Sequence, residues 1–208
     1  MKTIVEFLLK KRLKKPKQVK LGDYLHRDGS INTTPDEDVI GVCVIASGQI
    51  SDSPEARFMS VTGCTEDGKQ SNKELKCIWG PNDTKTGIID EYDGYGNTQE
   101  LVQLGSDYEA AIACSKFSPG YKDENWYLPA SKELEEYGKN FKLINEKIEN
   151  CGNPNKLIAS FYYWSSAEDS FNRDSAWGLY TSNGISNDNY KNFRRCVRPW
   201  LSVSLRSS

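Results

Sequence analysis

One stretch of the chain has a clear helical period, and most of the remainder alternates in the manner of strands and turns. Five apolar residues recur at spacings of three and four: Leu134, Tyr137, Phe141, Ile144 and Ile148. This spacing places them on one face of a helix. Ser131 is the expected N-cap, and Gly152 follows the expected end. The sequence therefore predicts one long amphipathic helix whose role is packing.

The segments before this helix are predicted from shorter patterns. Residues 38–45 form a β-branched run typical of a buried strand, and 57–61 and 77–79 are shorter strand candidates. Residues 80–98 are rich in Gly, Pro, Asn and Asp, which indicates a loop. A short helix is expected near residues 108–114. Together these patterns predict a mixed α+β fold.

The last fifty residues alternate again. Residues 176–180 and the segment from Ile185 onward flank an Asn183-Gly184 turn, which predicts a β-hairpin. Residues 162–195 interleave Tyr, Phe and Trp with Ser, Asn, Asp and Arg. That mixture is typical of a binding surface, because aromatic rings supply contact area and the polar groups supply adaptable hydrogen bonds. It is also typical of ordinary polar loops.

Charge and hydropathy exclude several classes. The first twenty residues carry eight basic residues and one acidic residue, whereas the chain as a whole has a net charge of −2. The acidic remainder argues against a nucleic-acid surface. Mean hydropathy is −0.66 and apolar runs are short, so we expect no membrane span. We divide the chain into a basic N-terminal helix or extension, 1–18, and one domain, 19–208.

Catalytic and metal-binding patterns are missing from the sequence. The six cysteines have no paired ligand spacing, and the chain has one histidine, His26. We expect reduced thiols, no signal peptide, no catalytic residue, no cofactor and no metal. Residues 90–97 superficially resemble a calcium loop, but they lack its alternating ligands and terminal Glu. We interpret them as a turn.

Several short motifs occur together in a fixed order. They are residues 126–134 (Trp-Tyr-Leu-Pro-Ala-Ser-Lys-Glu-Leu), 163–168 (Tyr-Trp-Ser-Ser-Ala-Glu), Ala176-Trp177, Asn183-Gly184 and Val197-Arg198-Pro199. With Gly22-Asp23-Tyr24 and Asp28-Gly29-Ser30 near the start, the chain resembles the variable proteins of diversity-generating retroelements from about residue 21 to 200. The resemblance implies a C-type-lectin-like fold with twisted antiparallel strands, two helices and long loops. That scaffold is related to formylglycine-generating-enzyme-like domains. Tyr127 departs from the Arg that often follows Trp in related domains.

In that family, adenines of a template are miscopied, so that Asn codons of the AAC type become other codons ending in C. Such codons never encode Glu, Lys, Gln, Met or Trp. Within 169–195 only Trp177 and Lys191 belong to these types. The resemblance implies a variable region of about 162–200 and a constant framework of Trp164, Ala176, Trp177, Val197, Arg198 and Pro199. It implies these exchangeable, ligand-binding positions: Asp169, Phe171, Asn172, Arg173, Asp174, Gly178, Tyr180, Ser182, Ser186, Asp188, Tyr190, Asn192, Arg194 and Arg195. Those on the hairpin are expected to alternate with inward Trp177 and Leu179.

These observations predict a non-enzymatic protein that binds a macromolecular ligand, a protein or a glycan, on a cell surface. The resemblance and the basic N-terminus favour a phage or prophage component, made in the cytoplasm and incorporated into the virion, as in a phage tail. Residues 1–18 would then dock to a virion or assembly partner. One alternative is a lectin-fold surface module that is not diversified. Another is an enzyme of the formylglycine-generating type.

Overall fold

The computed structural model describes residues 18–50, 54–121, 125–152 and 161–205. The extension predicted for 1–18 lies outside this range except for its last residue. The described residues form twelve strands: β1 (Tyr24–His26), β2 (Ile31–Asn32), β3 (Val39–Ile45), β4 (Glu55–Ser60), β5 (Gly63–Cys64), β6 (Gln70–Ser71), β7 (Leu75–Cys77), β8 (Tyr162–Glu168), β9 (Ser175–Tyr180), β10 (Ile185–Tyr190), β11 (Arg195–Val197) and β12 (Trp200–Ser204). They also form four helices: α1 (Gly94–Leu104), α2 (Glu109–Ser115), α3 (Ser131–Lys139) and α4 (Phe141–Asn150).

Two five-stranded sheets carry the fold. The first has the order β12-β4-β3-β1-β2 and is antiparallel throughout. The second has the order β10-β9-β8-β11-β7, and its β8–β11 pair is parallel. A small β5–β6 ribbon is separate. The architecture is mixed α+β, as predicted, and every residue of β3 is buried, as its β-branched run requires.

The predicted long helix is two helices in succession, which corrects the sequence interpretation. Asn140 leaves the helical conformation, with φ −112° and ψ 16°, and its side-chain amide donates to the Glu136 carbonyl at 2.9 Å. Asn competes for backbone hydrogen bonds in this way and so interrupts helices. The apolar residues keep their spacing of three and four across the break, so the sequence pattern alone indicates a single helix. The N-cap is Ala130 rather than Ser131.

The helix count also differs from the prediction, since the described residues contain four helices rather than two. The short helix near 108–114 is confirmed as α2. Helix α1 was missed because it begins inside the segment interpreted as a loop, and Gly94, Gly96, Asn97 and Thr98 in its first turns are weak helix formers. Its start is instead fixed by Asp93, whose carboxylate accepts from the Gly96 amide at 2.8 Å.

The apolar core has two parts. One contains Trp79, Trp126 and Trp164, and the other contains Tyr137 and Leu179. Helix α3 packs on β3 and on the β8-β9-β10 side of the second sheet. This contact covers the Leu179 face of the sheet and leaves its opposite face to other elements. Within the described ranges, no helix is long and apolar enough to cross a membrane.

Candidate ligand-binding face

The register of the second sheet decides which side chains share a surface. Across β9 and β10, Tyr180 is opposite Ile185, Gly178 is opposite Asn187, and Ala176 is opposite Asn189. Directly opposed residues project to the same side of a sheet. On β8, Tyr162 is opposite Tyr180. These side chains therefore lie on the sheet face that α3 does not cover.

Aromatic rings and one guanidinium are packed together on this face. The rings of Tyr162 and Tyr180 are stacked, with centroids 4.6 Å apart. The Arg195 guanidinium lies 4.9 Å from the Tyr162 centroid and 5.1 Å from that of Phe193. Tyr190 is opposite Ser175 and so has the parity of the other sheet face, but it ends β10 and its ring meets Phe193 edge-on at 5.6 Å, which places it at the edge of this cluster. We call this surface the aromatic face; it consists of Tyr162, Tyr180, Ile185, Asn187, Asn189, Tyr190, Phe193 and Arg195.

The aromatic face is both exposed and held in place. The exposed fractions of Ile185, Tyr190 and Phe193 are 53%, 52% and 45%, which is large for apolar side chains on a sheet. Arg195 is fixed by two hydrogen bonds, from its Nε at 3.2 Å and its Nη2 at 2.9 Å, to the Asn189 Oδ1. Such an arrangement offers rigid aromatic contact area beside an oriented cation, which suits binding with little loss of side-chain entropy.

A buried ion pair supports one end of this surface. The Lys191 Nζ pairs with the Glu168 carboxylate, and both side chains are fully buried. The same Nζ donates to the carbonyls of Thr84 at 2.7 Å and Arg173 at 2.6 Å. Lys191 thus joins the end of β10 to two loops. Its backbone carbonyl also accepts from the Trp79 amide at 2.8 Å.

Glu168 holds its charge although it is buried. Burial acts to raise the pKa of this carboxyl. The Lys191 ammonium and the backbone amides of Thr86 and Gly87 act more strongly in the opposite direction and keep the pKa below its usual value. The Gly87 amide donates at 2.8 Å and the Thr86 amide at 2.9 Å. The ion pair is therefore a fixed part of the framework.

The loop between β8 and β9 presents a single exposed ring. The Asp169 Oδ1 accepts from the Phe171 amide at 2.9 Å. The Asn172 Oδ1 accepts from the Asp174 amide at 3.1 Å, and its amide group donates to the Ser175 hydroxyl at 3.0 Å. Phe171 is 97% exposed at the tip of this hydrogen-bonded loop. The loop therefore holds an apolar anchor in solvent.

The structure distributes the sequence-predicted positions over several surfaces. Tyr180, Tyr190 and Arg195 belong to the aromatic face. Ser182 is exposed in the turn between β9 and β10, and Asn192 and Arg194 are exposed between β10 and β11. Five lie on the β8–β9 loop: Asp169, Phe171, Asn172, Arg173 and Asp174. Ser186 and Asp188 are opposite Leu179 and Trp177 and so lie on the other sheet face.

The parity of the hairpin explains this division. Four residues separate Tyr180 from Ile185, so even-numbered positions of β9 are opposite odd-numbered positions of β10. The expected set used even positions on both strands. It therefore missed Ile185, Asn187 and Asn189, and it included Tyr190, which joins the face only through its contact with Phe193. Phe193 follows β10 and was missed because it lies in the turn after the hairpin. The number of residues in the turn that contains Asn183 and Gly184 determines which positions of β9 and β10 are opposite each other. This number was the available clue in the sequence.

Gly178 lies against the backbone of the neighbouring strand. A Cβ added there would come within 2.7 Å of the Tyr163 carbonyl oxygen. No ordinary side chain fits at that distance, so we leave Gly178 out of the aromatic face. Its partner Asn187 is exposed.

The expected framework residues are mostly buried. The Trp164 indole donates to the Cys77 carbonyl at 3.0 Å. Arg198 pairs with Glu74 and donates to the Ser60 carbonyl at 3.2 Å. Ala176, Val197 and Pro199 are buried as well, whereas Trp177 is only half-buried. The Trp164 bond joins β8 to β7 within the second sheet, and Arg198, which follows β11, links this sheet to β4 of the first sheet.

The groups of this chain suited to metal or covalent chemistry are the acidic side chains of 90–97 and the six cysteines. Among the described residues, no three His, Cys, Asp or Glu side chains are placed to hold a metal ion. In the 90–97 segment, the Asp90 carboxylate accepts from the amides of Tyr92 and Asp93 and so forms a turn. The six cysteines are all free, and five are buried. Burial raises the pKa of Cys43, Cys77 and Cys196 to about 12, which makes them poor nucleophiles at neutral pH.

Comparison with known proteins gives a likeness in structure but none in sequence. No family model matches the chain, and no curated protein matches it in sequence. A crystal structure of a fimbrial protein from Bacteroides ovatus is similar, with a TM-score of 0.63 and 16% identity over 88% of this chain. The match covers 48% of that fimbrial protein, so this chain spans about half of its length. At this identity the likeness concerns the fold alone.

Proposed function

We propose that this chain is a non-enzymatic binding protein and that the aromatic face is its contact surface for a macromolecular ligand. The observation that carries the proposal is the fixed cluster of Tyr162, Tyr180, Phe193 and Arg195 on an otherwise well-packed sheet. Tyr and Arg dominate the energetics of protein interfaces because they bury a large area around a few directed polar groups. Phe171 on the β8–β9 loop is a second anchor.

The contact surface is diversified by adenine mutagenesis in this proposal. The aromatic face lies within 162–195, the segment poor in residue types that codons ending in C cannot encode. The exceptions within 162–195 are Trp164, Glu168, Trp177 and Lys191. Trp164 is buried, and Glu168 and Lys191 form the buried ion pair. A constant, buried Lys191 is compatible with exchange at the exposed positions around it.

The proposal includes a C-type-lectin-like scaffold. The mixed α+β architecture described above is compatible with such a scaffold. As the setting, we propose a virion component such as a phage tail, docked through residues 1–18. The likeness to a fimbrial protein favours a second setting, a cell-surface appendage. In both settings, the virion and the appendage, the aromatic face would contact a ligand on the surface of another cell.

Two other functions remain as alternatives. A lectin-fold module with a fixed sequence would use the same face for one glycan or protein. An oxidising enzyme of the formylglycine-generating type needs a reactive cysteine, and the raised pKa values of the buried thiols speak against one.

The binding role is tested with a matched pair of tyrosines. Tyr190 and Tyr92 are 52% and 51% exposed, but only Tyr190 belongs to the aromatic face. The native protein, Tyr190→Ala and Tyr92→Ala are applied to a glycan array with and without chelator, and to panels of bacterial cells. We expect loss of at least about tenfold in affinity for Tyr190→Ala alone, the size typical of an interface anchor. Equal binding by the two variants contradicts the proposal.

A further inference from the structure

The aromatic face carries one cation, Arg195, and no carboxylate. This differs from the rest of the chain, because residues 21–208 contain 28 acidic and 19 basic residues. Asp188 is the acidic residue of β10, and its register opposite Trp177 places it on the other sheet face. Among the described residues, the hydrogen bonds of the Arg195 guanidinium go to the Asn189 amide oxygen, and no carboxylate pairs with it. The positive charge of the face therefore has no paired counter-charge there.

The hydrogen bonds to Asn189 leave one edge of the guanidinium open. They engage Nε and one N–H of Nη2. The remaining N–H groups belong to Nη1 and Nη2, and they form the edge with two parallel donors that a carboxylate accepts in a bidentate pair. Arg195 is half-buried, and its guanidinium lies against the rings of Tyr162 and Phe193. The cation is thus oriented before any ligand binds.

Asn189 adds a neutral donor beside the cation. Because its Oδ1 accepts from Arg195, the other end of the same amide is the nitrogen, which can only donate. Within the described part of the chain, this nitrogen donates to no other group. The polar groups next to Arg195 therefore offer donors, which favours a ligand that supplies acceptor oxygens.

The surroundings of Arg195 favour a protein over a glycan as the source of those oxygens. Ile185, Tyr190 and Phe193 are exposed and offer apolar contact area. A sugar ring has hydroxyl groups on most of its carbons, and these lose hydrogen bonds to water when they meet apolar side chains. Protein interfaces instead combine an apolar, aromatic centre with Arg. The composition of the aromatic face matches the second case.

We infer that the ligand of this chain is a protein that presents an Asp or Glu carboxylate to the open edge of Arg195. The inference rests on the proposed binding role of the aromatic face and names the chemistry of its ligand. The carboxylate accepts from Nη1 and Nη2, while apolar side chains of the ligand cover Ile185 and Phe193. Because Arg195 is one of the positions proposed to vary, the preference for an acidic ligand belongs to this chain and changes with the residue at 195.

The test is selection from a displayed library of random peptides on the immobilised full chain. We expect Asp and Glu to be enriched at least about twofold over the unselected library on the native chain, and to return to the unselected level on Arg195→Gln. Arg27→Gln is the matched control. It removes the same charge from an exposed arginine in the turn after β1, where Asp38 lies 3.8 Å away, and it should select acidic peptides as the native chain does.

The affinity of one selected peptide, made synthetically, gives a second measurement. Calorimetric titration should show binding to Arg195→Gln at least about tenfold weaker than to the native chain, the loss expected for a charge-assisted hydrogen-bonded pair. Arg195→Lys keeps the charge without the planar fork and should fall between the two. Equal affinities of the native chain, Arg195→Lys and Arg195→Gln contradict the inference.

The outcomes separate this inference from the binding role on which it rests. Enriched peptides with Asp and Glu at the unselected level, or acidic peptides selected equally by Arg195→Gln, overturn the inference and leave the binding role intact. Absence of any enriched peptide, or Arg195-dependent binding of an acidic glycan on the array, overturns the acidic protein ligand. Failure of the binding role gives a different result, in which Tyr190→Ala and Tyr92→Ala bind the selected peptide equally well.

Discussion

At the scale of single residues, the ion pair of Lys191 and Glu168 is the clearest target, because both side chains are fully buried. Lys191→Met leaves the Glu168 carboxylate without its partner, and we expect a loss of about 3–5 kcal/mol in the free energy of unfolding. Lys132→Met is the control, since Lys132 pairs with Glu135 at 3.0 Å on a partly exposed helix surface and should cost less than about 1 kcal/mol. Urea denaturation measures both. Similar losses for the two variants would mean that the amides of Thr86 and Gly87 suffice to hold Glu168.

Glu133 should give the stability a specific pH dependence. Burial raises the pKa of this carboxyl to about 7, although Arg57 and the Ala130 amide act to lower it. Between the ordinary pKa of a carboxyl, near 4.5, and about 7, the folded chain binds more protons than the unfolded chain, so this contribution to stability falls as pH rises. The slope is at most about 1.4 kcal/mol per pH unit.

The measurement compares the native chain with Glu133→Gln, which does not titrate. The difference in unfolding free energy, native minus variant, should decrease from pH 5 to pH 7.5. A difference that stays constant or increases over this interval would show that Arg57 keeps Glu133 ionised throughout.

At the scale of elements, the close approach of β8 and β9 depends on Gly178. In Gly178→Ala the added Cβ meets the Tyr163 carbonyl at 2.7 Å, so one strand must shift. We expect a cost of about 1–3 kcal/mol by thermal or urea unfolding. Asn187→Ala, directly opposite and exposed, should stay within about 0.5 kcal/mol of the native chain. If Gly178→Ala is as stable as the native chain, a side chain is tolerated at this position, and Gly178 belongs among the proposed variable positions.

Elements with a strong local period were predictable from the sequence, and those set by single contacts were not. The apolar run of β3 and the Asn183-Gly184 hairpin were correct because burial and turn chemistry fix them locally. Helix α1 was missed because its start depends on the Asp93 cap and on contacts with distant segments. The break at Asn140 depends on one side-chain hydrogen bond, which leaves the apolar period unchanged.

The candidate site shows the same division. Composition indicated a candidate binding segment within 162–195, because the interleaved Tyr, Asn and Arg residues can be read directly from the sequence. The face itself required the register, since a shift of one residue moves every side chain to the other side of the sheet. The buried roles of Lys191 and Gly178 arise from Glu168 and Tyr163, which are neighbours only in the folded chain.

At the scale of the whole molecule, the packing of the thiols predicts their reactivity. Five of the six cysteines are buried, and Cys151 is half-buried with a pKa raised by burial to about 11. We expect at most one carbamidomethyl group on the native chain after iodoacetamide treatment, and six after unfolding in guanidinium, as read by intact mass. Two or more modified cysteines in the native chain would contradict the described packing.

The central claim is a variable aromatic face on a constant framework, and DNA sequencing around the gene tests it most directly. We predict a near-copy of the codons for 162–200 beside a reverse transcriptase gene, with differences only where the template has adenine. Substituted codons should fall on the aromatic face and the β8–β9 loop, and should spare Trp164, Gly178 and Lys191. If no template or reverse transcriptase gene is present, or if substitutions fall on the buried framework, the diversified face is contradicted and a lectin-fold binder of fixed sequence is the better account.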